Sequence, residues 1–154
     1  MLTSSSRVFS RASAFTLMAV LIGACGAPLG PIPGGALDGD VAPWPDDWEH
    51  AEECENVLLQ TNPEEPYSVT IWGVGIDQAF YVGASKRSHQ WAQYMEEDPR
   101  VTLEVDGKLY RAYAERVIDP ATTQLVADRF VAKYDMDPDN LDSDGAFYRL
   151  VQAP

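Results

Sequence analysis

The spacing of apolar residues changes several times along the chain, and each change predicts an element. In WEHAEECENVLL, Trp48, Ala51, Cys54 or Glu55, and Leu58 recur at helical intervals, with Val57 and Leu59 completing the end. Asp46 and Asp47 stand before this run as caps and Thr61-Asn62-Pro63 stops it, so a first helix is expected here. Tyr67 to Ile76 (YSVTIWGVGI) is β-branched and aromatic with apolar residues in both parities, the pattern of a strand covered on both faces. Asp77-Gln78 then turns the chain into a second strand, AFYVGA, residues 79 to 84. Ser88 is an N-cap for SHQWAQYMEED, a short helix with Trp91, Tyr94 and Met95 on one face, ended by Asp98-Pro99. The helical spacing makes Trp91 a core residue.

The clearest local signal is VTLEVDGKLYRAYAERVI, residues 101 to 118. Two alternating segments flank Asp106-Gly107, a pair that tolerates positive φ and so suits a tight hairpin turn. Asp119-Pro120 opens the next helix as N-cap and first residue, with Leu125, Val126, Phe130 and Tyr134 on its buried side and an end near Lys133 or Tyr134. An acidic loop, residues 134 to 145, leads to AFYRLV, a last short strand. The expected order is α-β-β-α-β-β-α-β. Two hairpins separated by a helix cannot make the repeated parallel crossovers of a doubly wound sheet. Antiparallel pairing closed into a small barrel with flanking helices accommodates them, so the fold class is α+β.

Composition adds a compartment. The first residues combine a basic start, MLTSSSRVFSR, with an apolar run too short to span a membrane and stay there, which reads as an export signal over residues 1 to 24. Its end, Leu21-Ile22-Gly23-Ala24-Cys25, resembles the bacterial lipobox, which implies cleavage before Cys25 and acylation of its sulfur. An ordinary secretory signal cut at a nearby A-x-A-like site is the alternative. Acyl chains on Cys25 would hold the protein at a membrane surface without a spanning helix. Gly26 after the cysteine implies, by the same resemblance, an outer-membrane location facing the periplasm if the cell is Gram-negative. Residues 25 to 44, rich in Gly and Pro, read as a flexible tether, and residues 45 to 154 as the domain.

Of the formal net charge of -13, the leader holds Arg7 and Arg11 and no acid, so the remainder has 9 basic and 24 acidic residues, a net of -15. Such a surface excludes nucleic acid as a partner. With Cys25 acylated, Cys54 has no thiol to pair with and reads as a buried, inert residue. His50 and His89 have no second ligand at metal spacing, so no transition metal is expected. Asp135, Asp137, Asp139, Asp142 and Asp144 crowd one loop, but the sixth and twelfth positions counted from Asp135 are Asn140 and Ala146, not the Gly and Glu of a calcium loop. The segment therefore reads as a solvated acidic loop.

Against this acidity, ASKRSHQW (residues 84 to 91) sets Lys86, Arg87 and His89 together between a strand and a helix. The run from Val69 to Pro120, with Asp98-Pro99-Arg100-Val101 after the short helix and Asp119-Pro120 after the hairpin, resembles the FMN-binding split-barrel superfamily. That superfamily includes the pyridoxamine-phosphate oxidase-like and deazaflavin-dependent reductase-like proteins. Phe130 to Tyr134 (FVAKY) resembles the Y-x-x-K-Y stretch of some members, and the likeness spans roughly residues 66 to 151. It implies a small antiparallel split β-barrel and a flavin-like cofactor, FMN or deazaflavin. It also implies a flavin phosphate held by Ser85, Lys86, Arg87 and Ser88, with Thr70 and Trp72 beside the ring, and a homodimer. Backbone N–H groups at a helix start and nearby cations would attract that anion. Two other readings stay open: Lys86 and Arg87 pair with surface carboxylates, or the barrel is a cofactor-free envelope lipoprotein that binds a small molecule or a protein.

Overall fold

The computed structural model describes residues 27–137 and 144–154. The strands are β1 (Val57–Thr61), β2 (Tyr67–Ile71), β3 (Gly73–Ile76), β4 (Ala79–Ala84), β5 (Arg100–Val105), β6 (Lys108–Arg116) and β7 (Ala146–Gln152). The helices are α1 (Gln90–Glu97) and α2 (Pro120–Tyr134), and a single 3₁₀ turn covers Glu49–Ala51. All seven strands form one antiparallel sheet in the order β2-β1-β5-β6-β7-β4-β3. Its two edge strands, β2 and β3, are consecutive in the chain and separated only by Trp72. One residue spans about 3.6 Å at most, so the two edges must meet at Trp72. The sheet therefore curls into a barrel whose edges join end to end, which is a split barrel.

This corrects two of the sequence expectations. The first helix is one 3₁₀ turn, and Val57–Thr61 is a strand with alternating burial, Val57, Leu59 and Thr61 inward. A run as short as VLLQT satisfies either period, and pairing with β2 on one side and β5 on the other decides for the strand. The single strand expected from Tyr67 to Ile76 is interrupted at Trp72, because its two halves serve opposite edges of the sheet.

The remaining elements follow the local chemistry. At the β5–β6 turn Asp106 and Gly107 both take positive φ, 50° and 74°, which matches the twist of the flanking strands. Asp119 caps α2: its carboxylate accepts from the Thr122 N–H and hydroxyl, both at 2.8 Å, and these bonds hold its pKa below the usual carboxylate value. Asp135 ends the helix in the left-handed region. Helix α1 begins one residue later than expected, with His89 and not Ser88 in the cap position.

Inward side chains of all the central strands form the main core, among them Leu59, Phe80, Val82, Leu103, Tyr148 and Leu150. Trp91, Ala92 and Met95 of α1 join it. A second cluster sits outside the barrel, where Val126 and Phe130 of α2 cover Val74, Ala79 and Tyr81. Covering on both faces explains why β4 reads as a continuous apolar run. Leu125 is 49% exposed, so α2 buries Val126, Ala127 and Phe130 in place of the wider face expected. Cys54 is half-buried, not buried, with its thiol 3.9 Å from the His50 carbonyl.

The Gly/Pro-rich segment lies against the barrel. Gly34 exchanges two hydrogen bonds with Ser68, and the Leu37 N–H donates to Gln60 Oε1. Asp40 and Ala42 pair with Leu109, and the Trp44 indole N–H donates to the Gln78 carbonyl. Trp44 and the buried Trp48 then meet edge to face, 5.0 Å apart, and Trp48 packs on Phe80 and Tyr110. No helix among the described residues is long and apolar enough to cross a membrane.

Candidate functional site

β4 ends at Ala84, and the loop after it carries Ser85 and Arg87 along the mouth of an open cavity of about 690 Å³. The end of β6 adds Arg116, the residues after it add Val117 and Ile118, and α2 adds Thr123, Gln124, Ala127 and Phe130. Phe147 at the start of β7, and Trp72 at the seam between the sheet edges, complete the apolar side. Gly83 keeps this wall low: a Cβ there would meet the Phe147 and Phe130 rings at 3.2 and 3.4 Å.

Sheet register brings the two arginines together. Tyr148 of β7 pairs with Val82 of β4 on one side and Arg116 of β6 on the other, so only β7 separates Arg116 from β4, the strand that leads to Arg87. Both guanidinium groups approach Glu96 of α1, Arg87 Nε at 3.6 Å and Arg116 Nη1 at 3.7 Å. The buried Tyr148 hydroxyl donates to the same Glu96 oxygen at 3.0 Å. Burial, and then the adjacent Glu96, push the Tyr148 pKa up to about 12, so it remains a donor. Two cations thus share one carboxylate through long, solvent-exposed ion pairs, each of which contributes only about 0–1 kcal/mol. A phosphate group, with more oxygen atoms than the Glu96 carboxylate, can compete for them at hydrogen-bond range.

Of the residues singled out in the sequence, Trp72, Ser85 and Arg87 line the cavity, whereas Thr70, Lys86 and Ser88 do not. Thr70 lies within β2, opposite Leu58. The Ser85 hydroxyl is 3.0 Å from His89 Nε2, so the histidine that caps α1 also holds the loop. The Arg87 N–H donates to the Asp144 carbonyl, tying the loop to the approach of β7. Arg116, Thr123 and Gln124 were not singled out in the sequence. Arg116 precedes the Asp119-Pro120 signal by three residues, but only strand pairing relates it to Arg87. Trp91 is buried in the core. Cys25, Asp139 and Asp142 lie outside the described residues. Among the described residues no three His, Cys, Asp or Glu side chains converge as a metal site.

Solved structures with this architecture exist. The chain is similar to the haem storage protein HutZ of Vibrio cholerae, with a TM-score of 0.59 and 17% identity over 69% of this chain and 87% of that one. A pyridoxamine 5′-phosphate oxidase-like protein of Listeria innocua matches with a TM-score of 0.55 and 9% identity, over 68% and 89%. The chain has the split-barrel fold of these proteins. An FAD-binding protein of Mesorhizobium loti is a further split barrel of this kind, with a TM-score of 0.50 and 18% identity, over 65% and 80%. At these identities the likeness is one of backbone architecture. The sequence of this split barrel matches no family model and no curated protein.

Proposed function

We propose that this protein is an exported, lipid-anchored split barrel that binds a flavin-like cofactor, FMN or a deazaflavin, and reduces a small molecule with it. The observation that carries the reading is the two-sided cavity: Arg87 and Arg116 on one side, Trp72, Phe130 and Phe147 on the other. Its volume of about 690 Å³ lies within the range of about 300–1,000 Å³ common for small-molecule sites. The donor set fits a planar ring carrying an anion. Arg87, Arg116 and the Ser85 hydroxyl would hold the phosphate, while the indole and the two phenyl rings exclude water from the ring. Hydride transfer is the chemistry the cofactor supplies when bound, and the chain contributes position and electrostatics.

The test is a titration of the mature chain with FMN and with a deazaflavin. Yellow colour retained through desalting, quenched flavin fluorescence and a thermal midpoint that rises with ligand concentration are expected, because a ligand of the native state stabilises by mass action. A colourless protein with an unmoved midpoint would overturn the cofactor reading and leave a cofactor-free envelope lipoprotein.

The anchor is proposed from Leu21 to Cys25, and it predicts that Cys25→Ala moves the protein from the membrane pellet to the soluble fraction. Wild-type protein found in the soluble fraction would refute the anchor. A homodimer belongs to the same proposal.

A further inference from the structure

Trp72 is the single residue between the two sheet edges, and it is 42% exposed although it lines the cavity. One face of the indole lies on the Tyr134 ring, with centroids 4.5 Å apart and planes 11° from parallel. Tyr134 is itself clasped to the residue after Trp72: its hydroxyl accepts from the Gly73 N–H at 2.9 Å and donates to the Gly73 carbonyl at 3.0 Å. The neighbouring Lys133 donates to that same carbonyl at 2.9 Å and to the Ala51 carbonyl at 2.8 Å. Gly73 has a separate packing role on its other side, where a Cβ would overlap the Phe80 ring. Burial lowers the Lys133 pKa and raises that of Tyr134, so the tyrosine keeps the proton it donates.

Tyr134 also joins Trp72 to the rest of the apolar wall. Its ring is 5.7 Å from Phe130, and Phe130 is 5.2 Å from Phe147. The cavity's three aromatic residues therefore belong to one connected row, joined behind the wall by Tyr134, with Trp72 at its exposed end. An indole stacked on one face and fastened by its neighbour's backbone has little freedom left, so a ring that stacks on the other face loses little further entropy.

We infer that Trp72 is a stacking platform for a planar aromatic ring, and that Tyr134, which does not itself line the cavity, is the positioning residue that sets it, with Lys133 as its anchor. The inference rests on the flavin-like reading for the ligand, whereas the positioning of Trp72 is measurable without one. Riboflavin, which has the ring and no phosphate, isolates the platform from the arginines. Tyr134→Leu is expected to raise the Kd for FMN and riboflavin alike by about tenfold, equivalent to about 1.4 kcal/mol, whereas Tyr134→Phe, which keeps the ring, stays within about threefold. Without ligand, the near-ultraviolet circular dichroism that Trp72→Leu removes from the wild type is expected to vanish in Tyr134→Leu also. If wild type binds neither flavin yet that signal vanishes, the flavin reading fails and the positioning stands. An unchanged signal, or unchanged riboflavin affinity in a protein that binds FMN, overturns the inference. Should Tyr134→Leu fail to fold, Tyr134→Phe with Lys133→Met keeps the ring and removes all four clasping bonds. Its loss of the Trp72 signal supports the inference, and its retention overturns it.

Discussion

Replacing Arg87 and Arg116 together with alanine is expected to weaken FMN binding by about 100-fold or more. Hydrogen bonds to charged groups contribute about 1.5–3 kcal/mol each, and the double variant removes both guanidinium groups from the mouth of the cavity. Each single variant should fall between wild type and the pair. Lys86→Ala is the control: Lys86 does not line the cavity, so its charge acts only at a distance and is screened by about 0.15 M salt. Its Kd should stay within about twofold of wild type. Fluorescence titration at fixed ionic strength decides the matter. Lys86→Ala proving as damaging as the arginine pair would move the anion seat back to the loop and away from the β4–β7–β6 register.

Trp48→Ala should cost about 3–5 kcal/mol of stability, the range for removing a buried large aromatic side chain. In a domain of this size that lowers the thermal midpoint by roughly 15 °C or more. Trp48 is 2% exposed and touches Trp44, Phe80 and Tyr110, so it joins the N-terminal segment to the barrel interior. Gly75 faces the same contact, and a Cβ added there would collide with the Trp48 side chain. Gly75→Ala should therefore destabilise through overpacking, by about 1–3 kcal/mol. The indole N–H of Trp48 is buried with no partner among the described residues, so Trp48→Phe gives up ring volume but relieves an unsatisfied donor. It should be far milder than Trp48→Ala. Urea denaturation of the three variants measures this order, and equal losses for Phe and Ala at position 48 would count against it.

What the sequence decided by itself is what a few neighbouring residues decide. Asp106-Gly107 admits the positive φ that only a tight turn needs, and Asp119 followed by Pro120 satisfies the start of α2 within four residues. The apolar run of β4 announces burial on both faces before any partner is known. Together with two hairpins separated by a helix, these signals are enough for an antiparallel α+β barrel. The segment from Trp48 to Thr61 was misread because five apolar-rich residues carry too little periodicity to distinguish helix from strand. Its state is decided by the ladders on either side, to β2 close by and to β5 some forty residues away.

The site follows the same division. Arg87 and Ser85 were legible as a basic loop ahead of a helix, and Trp72 by resemblance. Nothing near Arg116 in the chain marks it as a partner, since it meets Arg87 through the pairing of β6, β7 and β4 and through their shared Glu96. The choice of Arg87 over Lys86 for the cavity likewise depends on how the loop is tied to His89 and Asp144. Local sequence sets turns, caps and faces because those energies act over a few residues. Strand register and seam closure combine residues distant in the chain, so only the tertiary structure decided which charges and rings share one cavity.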